Sequence, residues 1–157
     1  MNIAKLNITP ASRYILIEYP GKGNIGSNIC FESTLQIISR TYRKLGANML
    51  VTLTDTAGFK NSTVAWHHLI FSRVRAIENN SFMLHSGNNG ISAIIDPFGR
   101  FLARTDLLKK QVIYGSVYFN KNKSFYSVHG ELIIYIYYGI SFFLLLLYLV
   151  RTRRKTQ

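Results

Sequence analysis

Hydrophobic residues follow two different spacings along residues 14–119 of this chain. Some recur every three or four positions, which is typical of a helix packed on one side, and others form short β-branched runs, which are typical of strands. The two kinds alternate as β-α-β-α and are followed by several further strands. This order predicts an α/β fold with helices packed on a sheet.

Two helices are predicted from the helical spacing. The first covers residues 33–45, and Gly46 is placed to end it. Its apolar positions are Leu35, Ile38, Tyr42 and Leu45. The second covers residues 64–80 and is expected to bury a single face. That face consists of Trp66, Leu69, Ile70, Val74 and Ile77.

Strands are predicted for seven short apolar runs separated by turns. They are residues 14–19, 25–30, 48–54, 82–86, 92–95, 101–104 and 112–119. A glycine-rich turn is expected over residues 21–26, and Asp96-Pro97-Phe98-Gly99 is expected to form another. The glycines of the first turn spell G-x-G-x-x-G, but a strand-like stretch follows instead of the helix that a dinucleotide site requires. A nucleotide site is therefore not expected.

The C-terminal region reads as a membrane anchor. Residues 132–150 are nineteen consecutive residues without a charge, which is about 28 Å of helix, close to the hydrocarbon thickness of a bilayer. Four basic residues follow directly, and the positive-inside rule places them in the cytoplasm. They are Arg151, Arg153, Arg154 and Lys155. We thus expect an extracytoplasmic domain (1–131), a transmembrane helix (132–150) and a basic cytoplasmic tail (151–157).

Composition agrees with a membrane protein. The 157 residues carry a net charge of +12, and the mean hydropathy is positive, which is unusual for a small soluble basic domain. Without the four tail charges, 15 basic and 7 acidic residues leave +8, for which an anionic lipid surface is one explanation. No segment interleaves cations and aromatics as nucleic-acid-binding motifs do, so nucleic acid is not an expected partner. The first residues lack the apolar stretch of a signal peptide, so the sequence does not explain how the domain is exported.

Cys30 is the principal candidate for chemistry. It is the only cysteine, and it lies between a predicted strand and a predicted helix, where a helix N-terminus stabilises a thiolate. A lone cysteine is more often a small buried hydrophobe, so position alone leaves both interpretations open. Glu32 could orient an amine or a lysine, or could serve only as an acid at the start of the helix.

No metal or cofactor is expected. His67 and His68 are adjacent, so they point to different sides of a helix and do not suit one metal ion. Arg75 and Glu78, three residues apart on the same helix, are expected to form an ion pair.

Six blocks of sequence resemble, in order and spacing, the bacterial apolipoprotein N-acyltransferases of the carbon-nitrogen hydrolase (nitrilase) superfamily. The blocks are Ile29-Cys30-Phe31-Glu32, Gly46-Ala47-Asn48, Trp66-x-His68, residues 73–78 (RVRAIE), residues 88–93 (NNGISA) and Asp96-Pro97-x-Gly99. The resemblance implies the C-terminal portion of an α-β-β-α sandwich followed by one transmembrane helix. It also implies a location in the bacterial inner membrane.

The resemblance further implies a Glu-Lys-Cys triad. Cys30 would take an acyl chain from a phospholipid as a thioester and pass it to the N-terminal amine of a lipidated lipoprotein, with Glu32 in a supporting role. Lys5 is the candidate lysine because Lys5 and Pro10 keep the family's spacing. The family's next glutamate is replaced by Arg13, and the triad glutamate has no counterpart in this sequence.

Further departures leave alternatives open. Gly58 stands where the family has a tryptophan, and Ser81 and His85 stand where it has arginines. The chain could be a truncated or split acyltransferase that works with a separate N-terminal half. It could instead be a catalytically inactive, membrane-anchored module, or an amidase-type carbon-nitrogen hydrolase.

Overall fold

A six-stranded mixed sheet forms the centre of the computed structural model, which describes residues 12–59 and 63–155. The strands lie side by side in chain order. They are β1 (Ile17–Tyr19), β2 (Gly23–Ile29), β3 (Met49–Asp55), β4 (Met83–Asn88), β5 (Ala93–Ile95) and β6 (Phe101–Arg104). The central strands β2, β3 and β4 run parallel, and the outer strands pair antiparallel. The α/β prediction is therefore confirmed.

Helices connect the parallel strands and continue to the C-terminus. They are a 3₁₀ helix at Cys30–Thr34, α1 (Gln36–Leu45), a 3₁₀ helix at Ala57–Phe59, α2 (Val64–Asn79), α3 (Phe125–His129) and α4 (Leu132–Lys155). The predicted first helix is divided in two, because Leu35 is extended and separates the 3₁₀ turn from α1. Gly46 ends α1 in the left-handed conformation, as predicted.

The sheet has one face covered by α1 and α2 and a second face that is only partly covered. The core lies between the first face and the helices. Its buried apolar members are Ala47, Leu50, Leu69, Ala76, Met83, Ile91, Ala93 and Ile95. Gly26 belongs to this face as part of β2, where a Cβ would lie 2.6 Å from the side chain of Tyr42. The glycine-rich turn was thus predicted too long, and it ends before Gly23.

The predicted buried face of α2 is wrong in part. Leu69 is buried, but Trp66, Ile70 and Ile77 are exposed. Small and polar side chains take their place toward the core: Ala65, His68, Ser72, Arg75, Ala76 and Asn79. The exposed ring of Trp66 is partly covered by a cation, because the Arg104 guanidinium lies 4.9 Å from the ring centroid.

The strand predicted at residues 112–119 is also wrong. This segment crosses the second face of the sheet and pairs with neither edge: Gly115 lies against Ile94 of β5, and the backbone N–H of Asn120 donates to Asn48 O before β3. Ladder hydrogen bonds need a strand that runs along an edge, so a crossing segment forms none. Part of the segment covers one end of the second face, whereas Val112, Tyr114 and Tyr118 remain exposed.

Helix α4 leaves the domain as a single long apolar segment. Among the described residues it is the one helix with the length and composition to cross a membrane, over Leu132–Leu149. Within that range no residue is buried against the rest of the chain. Its apolar side chains therefore need an environment that the described domain does not provide.

Candidate active site

Cys30 occupies a strained turn at the carboxyl end of β2. It is the first residue of the 3₁₀ helix, and its φ of 50° lies in the left-handed region, which costs a residue other than glycine about 1–3 kcal/mol. Its side chain is half-buried. A nucleophile on a sharp turn between a strand and a helix projects its side chain above the edge of the sheet. The position that the sequence indicated for Cys30 is thus the position it occupies.

Hydrogen bonds from three neighbouring side chains hold this turn. Glu32 Oε2 accepts from the backbone N–H of Ile29 at 2.7 Å. Ser33 Oγ donates to Cys30 O at 2.9 Å, and Thr34 Oγ1 donates to Phe31 O at 2.8 Å. Glu32 therefore holds the backbone amide of the residue before Cys30.

Two further loops begin at the same edge of the sheet as the Cys30 turn, because the carboxyl ends of parallel strands lie side by side. One follows β3 and contains Gly58, and the other follows β4 and contains Asn89. Thr56 joins them, since its backbone N–H and its Oγ1 both bond to Asn88 O, at 3.1 and 3.2 Å. Ligand sites in α/β sheets form at this edge.

The N-terminal part of α2 covers the Cys30 turn. The ring of His68 meets the ring of Phe31 edge-on, with centroids 5.6 Å apart. His68 is 3% exposed, and its Nδ1 is buried without a hydrogen-bond partner among the described residues. Burial, followed by the charge of His67, lowers the pKa of His68, which is therefore neutral at pH 7.

His85 is a second buried histidine, and its burial was not predicted from the sequence. His85 Nδ1 and Ser72 Oγ are hydrogen-bonded at 2.8 Å, across β4 and α2. Sequence periodicity could not reveal this pair, because both residues are polar and buried. Within the described ranges, no three His, Cys, Asp or Glu side chains are grouped to hold a metal ion.

His85 makes stability dependent on pH. Burial lowers the pKa of His85 to about 4, whereas an unfolded histidine titrates near 6.5. Stability should be unaffected above pH 6.5, should fall by up to about 3 kcal/mol as the pH drops from 6.5 to 4, and should then level off. Urea unfolding followed against pH tests this. His85→Gln should flatten the dependence of the free energy of unfolding on pH, whereas His67→Gln, at an exposed site on α2, should leave it unchanged. Equal pH dependence in both variants would contradict the prediction.

An open polar cleft of about 420 Å³ lies beyond the β4 loop. It is lined by residues 87–90, by Ser92 and Thr105, and by residues 108–111. Cys30 is not among its lining residues. The cleft and the thiol are therefore separate features of the same edge.

The structure does not test the expected lysine, and it places one acid far from Cys30. Lys5 and Pro10 lie outside the described residues. Glu18, the acid before Cys30 in the chain, pairs with Asn24 at the opposite end of β2. Cys30 lies six positions after Asn24 along β2, which is about 20 Å, so Glu18 is too far away to act as a base on the thiol.

Comparisons with known proteins agree with the geometry. Residues 6–125 match the carbon-nitrogen hydrolase family. The chain is 35% identical over 111 residues to the apolipoprotein N-acyltransferase of Geobacter metallireducens. This match covers 71% of this chain and 21% of that protein. It is 27% identical over 127 residues to the apolipoprotein N-acyltransferase of Borreliella burgdorferi, and this match covers 80% of this chain and 23% of that protein. The chain thus spans less than a quarter of the length of these relatives.

Solved structures share the fold. Nit3 of Saccharomyces cerevisiae, a nitrilase-superfamily member, has a TM-score of 0.54 and 17% identity over 66% of this chain and 40% of its own. An amidase from Nesterenkonia, solved with acrylamide added to its active-site cysteine, has a TM-score of 0.52 and 17% identity over 64% and 41%.

Proposed function

The chain belongs to the carbon-nitrogen hydrolase family, and we propose that it supplies the nucleophile of an apolipoprotein N-acyltransferase. The observation that carries the proposal is the Cys30 turn. A half-exposed thiol stands on a left-handed residue at the carboxyl edge of a parallel sheet, and Glu32 holds the preceding amide. A structural cysteine has no need of such a conformation.

The proposed reaction has two acyl-transfer steps. The Cys30 thiolate attacks the carbonyl carbon of a phospholipid ester, the ester C–O bond breaks, and the lysophospholipid leaves as an alcohol after taking a proton. The amine at the N-terminus of a lipidated lipoprotein then attacks the thioester. The C–S bond breaks, the amine loses a proton, and the thiolate is restored. A thiolate serves both steps because it attacks well and leaves well.

Other residues have proposed roles around the nucleophile. Lys5 donates to the oxyanion that forms in each step. Glu32 acts as a positioning residue through Ile29 N–H. The general base is a glutamate supplied by a second α-β layer of the acyltransferase, which we call the complementary segment. Glu18, the acid before Cys30 in the chain, cannot serve because it lies at the far end of β2.

The uncovered part of the second sheet face supports a complementary segment. Ile29 and Leu53 are register partners there, and they are 62% and 49% exposed. A second α-β layer packed on this face would bury both side chains and complete the sandwich. We propose that such a layer completes the site when the acyltransferase is assembled.

Formation of an acyl-enzyme tests the function. The chain is combined with the Geobacter metallireducens relative shortened before its matching segment, in vesicles that contain a labelled phospholipid. We expect a hydroxylamine-sensitive acyl adduct on Cys30 and transfer of the label to a lipopeptide. Cys30→Ala should abolish both, whereas Ser116→Ala, at an exposed site, should change neither. Release of ammonia from simple amides without an adduct would favour an amidase instead.

An inactive module is the second candidate function. Arg13 is an exposed cation where the family has a carboxylate, and Gly58 leaves open space where the family has a tryptophan. A small thiol probe should label Cys30 in the folded protein because its side chain is half-exposed, and a folded protein that the probe leaves unlabelled would favour a structural cysteine and this inactive module.

The proposed location is the bacterial inner membrane, with α4 as the anchor, residues 1–131 outside the cytoplasm and the basic tail inside. The length and apolar composition of Leu132–Leu149 support a spanning helix. The four basic residues that follow support the orientation.

A reporter fusion tests this topology. Alkaline phosphatase, which is active only in the periplasm, should be inactive when fused after Gln157, whereas a cytoplasmic reporter should be active there. Replacing the four tail cations with glutamine should produce mixed orientations, because the charge bias is lost. Strong phosphatase activity of the unaltered fusion would reverse the proposed orientation.

A further inference from the structure

Four cations surround the point where the domain continues into α4, and we propose that together they bind the phosphate groups of anionic phospholipids. We refer to Arg40, Lys44, Lys121 and Lys123 as the basic collar. The inference rests on the proposal that α4 spans a bilayer, and it adds a lipid-binding surface that the acyl-transfer chemistry does not require.

Arg40 ties α1 to the base of the anchor. Its Nη2 donates to Val128 O at 3.1 Å, and its guanidinium lies so close to Gly130 that a Cβ there would clash. The same guanidinium stands 6.0 Å from the centroid of the Tyr126 ring. The first apolar residue of α4 is Leu132, so Arg40 sits at the level where the anchor begins.

Three exposed lysines extend the collar from Arg40. Lys44 lies one turn further along the same face of α1, about 6 Å away. Lys123 Nζ donates to the backbone oxygen of Lys44 at 3.3 Å, and Lys121 is two residues from Lys123. The headgroup layer on each side of a bilayer is about 5–8 Å thick, so these lysines reach it when α4 spans the hydrocarbon.

The acids closest to the collar are already engaged. Glu131 Oε1 accepts from the hydroxyl of Tyr126 at 2.9 Å, and Glu78 Oε2 faces Arg75 Nε at 3.2 Å. Neither pairs with a collar cation in the part of the chain that the structure describes. A tyrosine hydroxyl does not neutralise the Glu131 carboxylate, but the four collar cations outnumber that acid, so the surface around the anchor keeps a net positive charge that complements lipid phosphate.

The collar also limits how far the thiol can stand from the lipid. Helix α1 begins just after the Cys30 turn and carries Arg40 and Lys44 at its middle and end. The five residues of the 3₁₀ helix rise about 10 Å and the ten residues of α1 about 15 Å, so a collar seated on headgroups holds Cys30 within roughly 25 Å of them. Random tilting of the domain about α4 would not maintain that distance.

Local lipid enrichment tests the proposal in the full chain. A single tryptophan is placed beside the collar by Phe125→Trp in a Trp66→Phe background. The protein is reconstituted in phosphatidylcholine vesicles with a small fixed fraction of brominated lipid, either phosphatidylglycerol or phosphatidylcholine. We expect about twofold stronger quenching by brominated phosphatidylglycerol, and high salt should remove the difference.

A matched pair of variants assigns the effect. Lys121→Gln with Lys123→Gln should abolish the preference, whereas Lys109→Gln with Lys110→Gln, on the loop near the opposite end of β4, should keep it. Equal quenching by both lipids, or equal loss in both double variants, would overturn the proposal. Flotation with the vesicles is measured in parallel, and its failure would refute the anchor instead of the collar.

Discussion

Replacing Arg43 with methionine should lower the free energy of unfolding by about 3–5 kcal/mol. Arg43 is 1% exposed at the end of α1, and within the described ranges its guanidinium donates only to backbone oxygens. The acceptors are the carbonyls of Ala47, Asn79, Asn120 and Asn122. Methionine fills a similar volume but removes the guanidinium from all four carbonyls, of which Asn122 O keeps a donor in Asn80 Nδ2 at 3.3 Å. Each buried polar group left unpaired costs about 1–3 kcal/mol.

The matched control is Lys44→Met, which removes a cation from the next residue at an exposed site. Urea unfolding in detergent, followed by near-UV circular dichroism, should show a change below about 0.5 kcal/mol for this control. Arg43→Lys should fall between the two, because one ammonium group cannot reach every acceptor. Equal effects of Arg43→Met and Lys44→Met would contradict the proposed role. Burial lowers the pKa of Arg43, but an arginine remains charged at every pH of the experiment.

The 157-residue chain on its own should transfer no measurable acyl chain to a lipopeptide. Without a positioned base, the attacking amine must lose its proton unaided, which slows the step by roughly 10²–10⁴-fold. Arg13 opposes a protonated amine through its charge, and the open face around Ile29 and Leu53 leaves the site uncovered.

The measurement uses labelled phospholipid and a lipopeptide acceptor, with and without the complementary segment described above. Transfer should appear only when that segment is present, and Arg13→Glu should then increase it. Turnover by the chain alone would contradict the prediction. Glu32→Gln would be the first variant to make in that case, because Glu32 is the acid beside the thiol and glutamine keeps an acceptor for Ile29 N–H.

Local sequence signals predicted much of the framework. The apolar run of β3 and the glycine that ends α1 both act within a few residues, so the sequence alone places them. The turn at Asp96 is similar, because its carboxylate accepts from the N–H groups of Phe98 and Arg100 in the same loop. The position of Cys30 between a strand and a helix also follows from local spacing.

Features that depend on distant partners were predicted poorly. The exposure of Trp66 and Ile70 reverses the expectation from periodicity, because α2 buries His68 and Ser72 instead, and Ser72 has a specific partner in His85. The segment at 112–119 has the composition of a strand but crosses the sheet. In each case the decisive contact joins residues far apart in the chain, and neither spacing nor composition reports it.

The side-by-side order of the six strands has a consequence for how the domain forms. Every strand pairs with its predecessor in the chain, so the sheet can grow from β1 to β6 as the polypeptide emerges, without waiting for a later strand to insert between earlier ones. Pairing between consecutive elements keeps contact order low and folding fast. Since α4 follows all six strands, the whole sheet can form before α4 is synthesised.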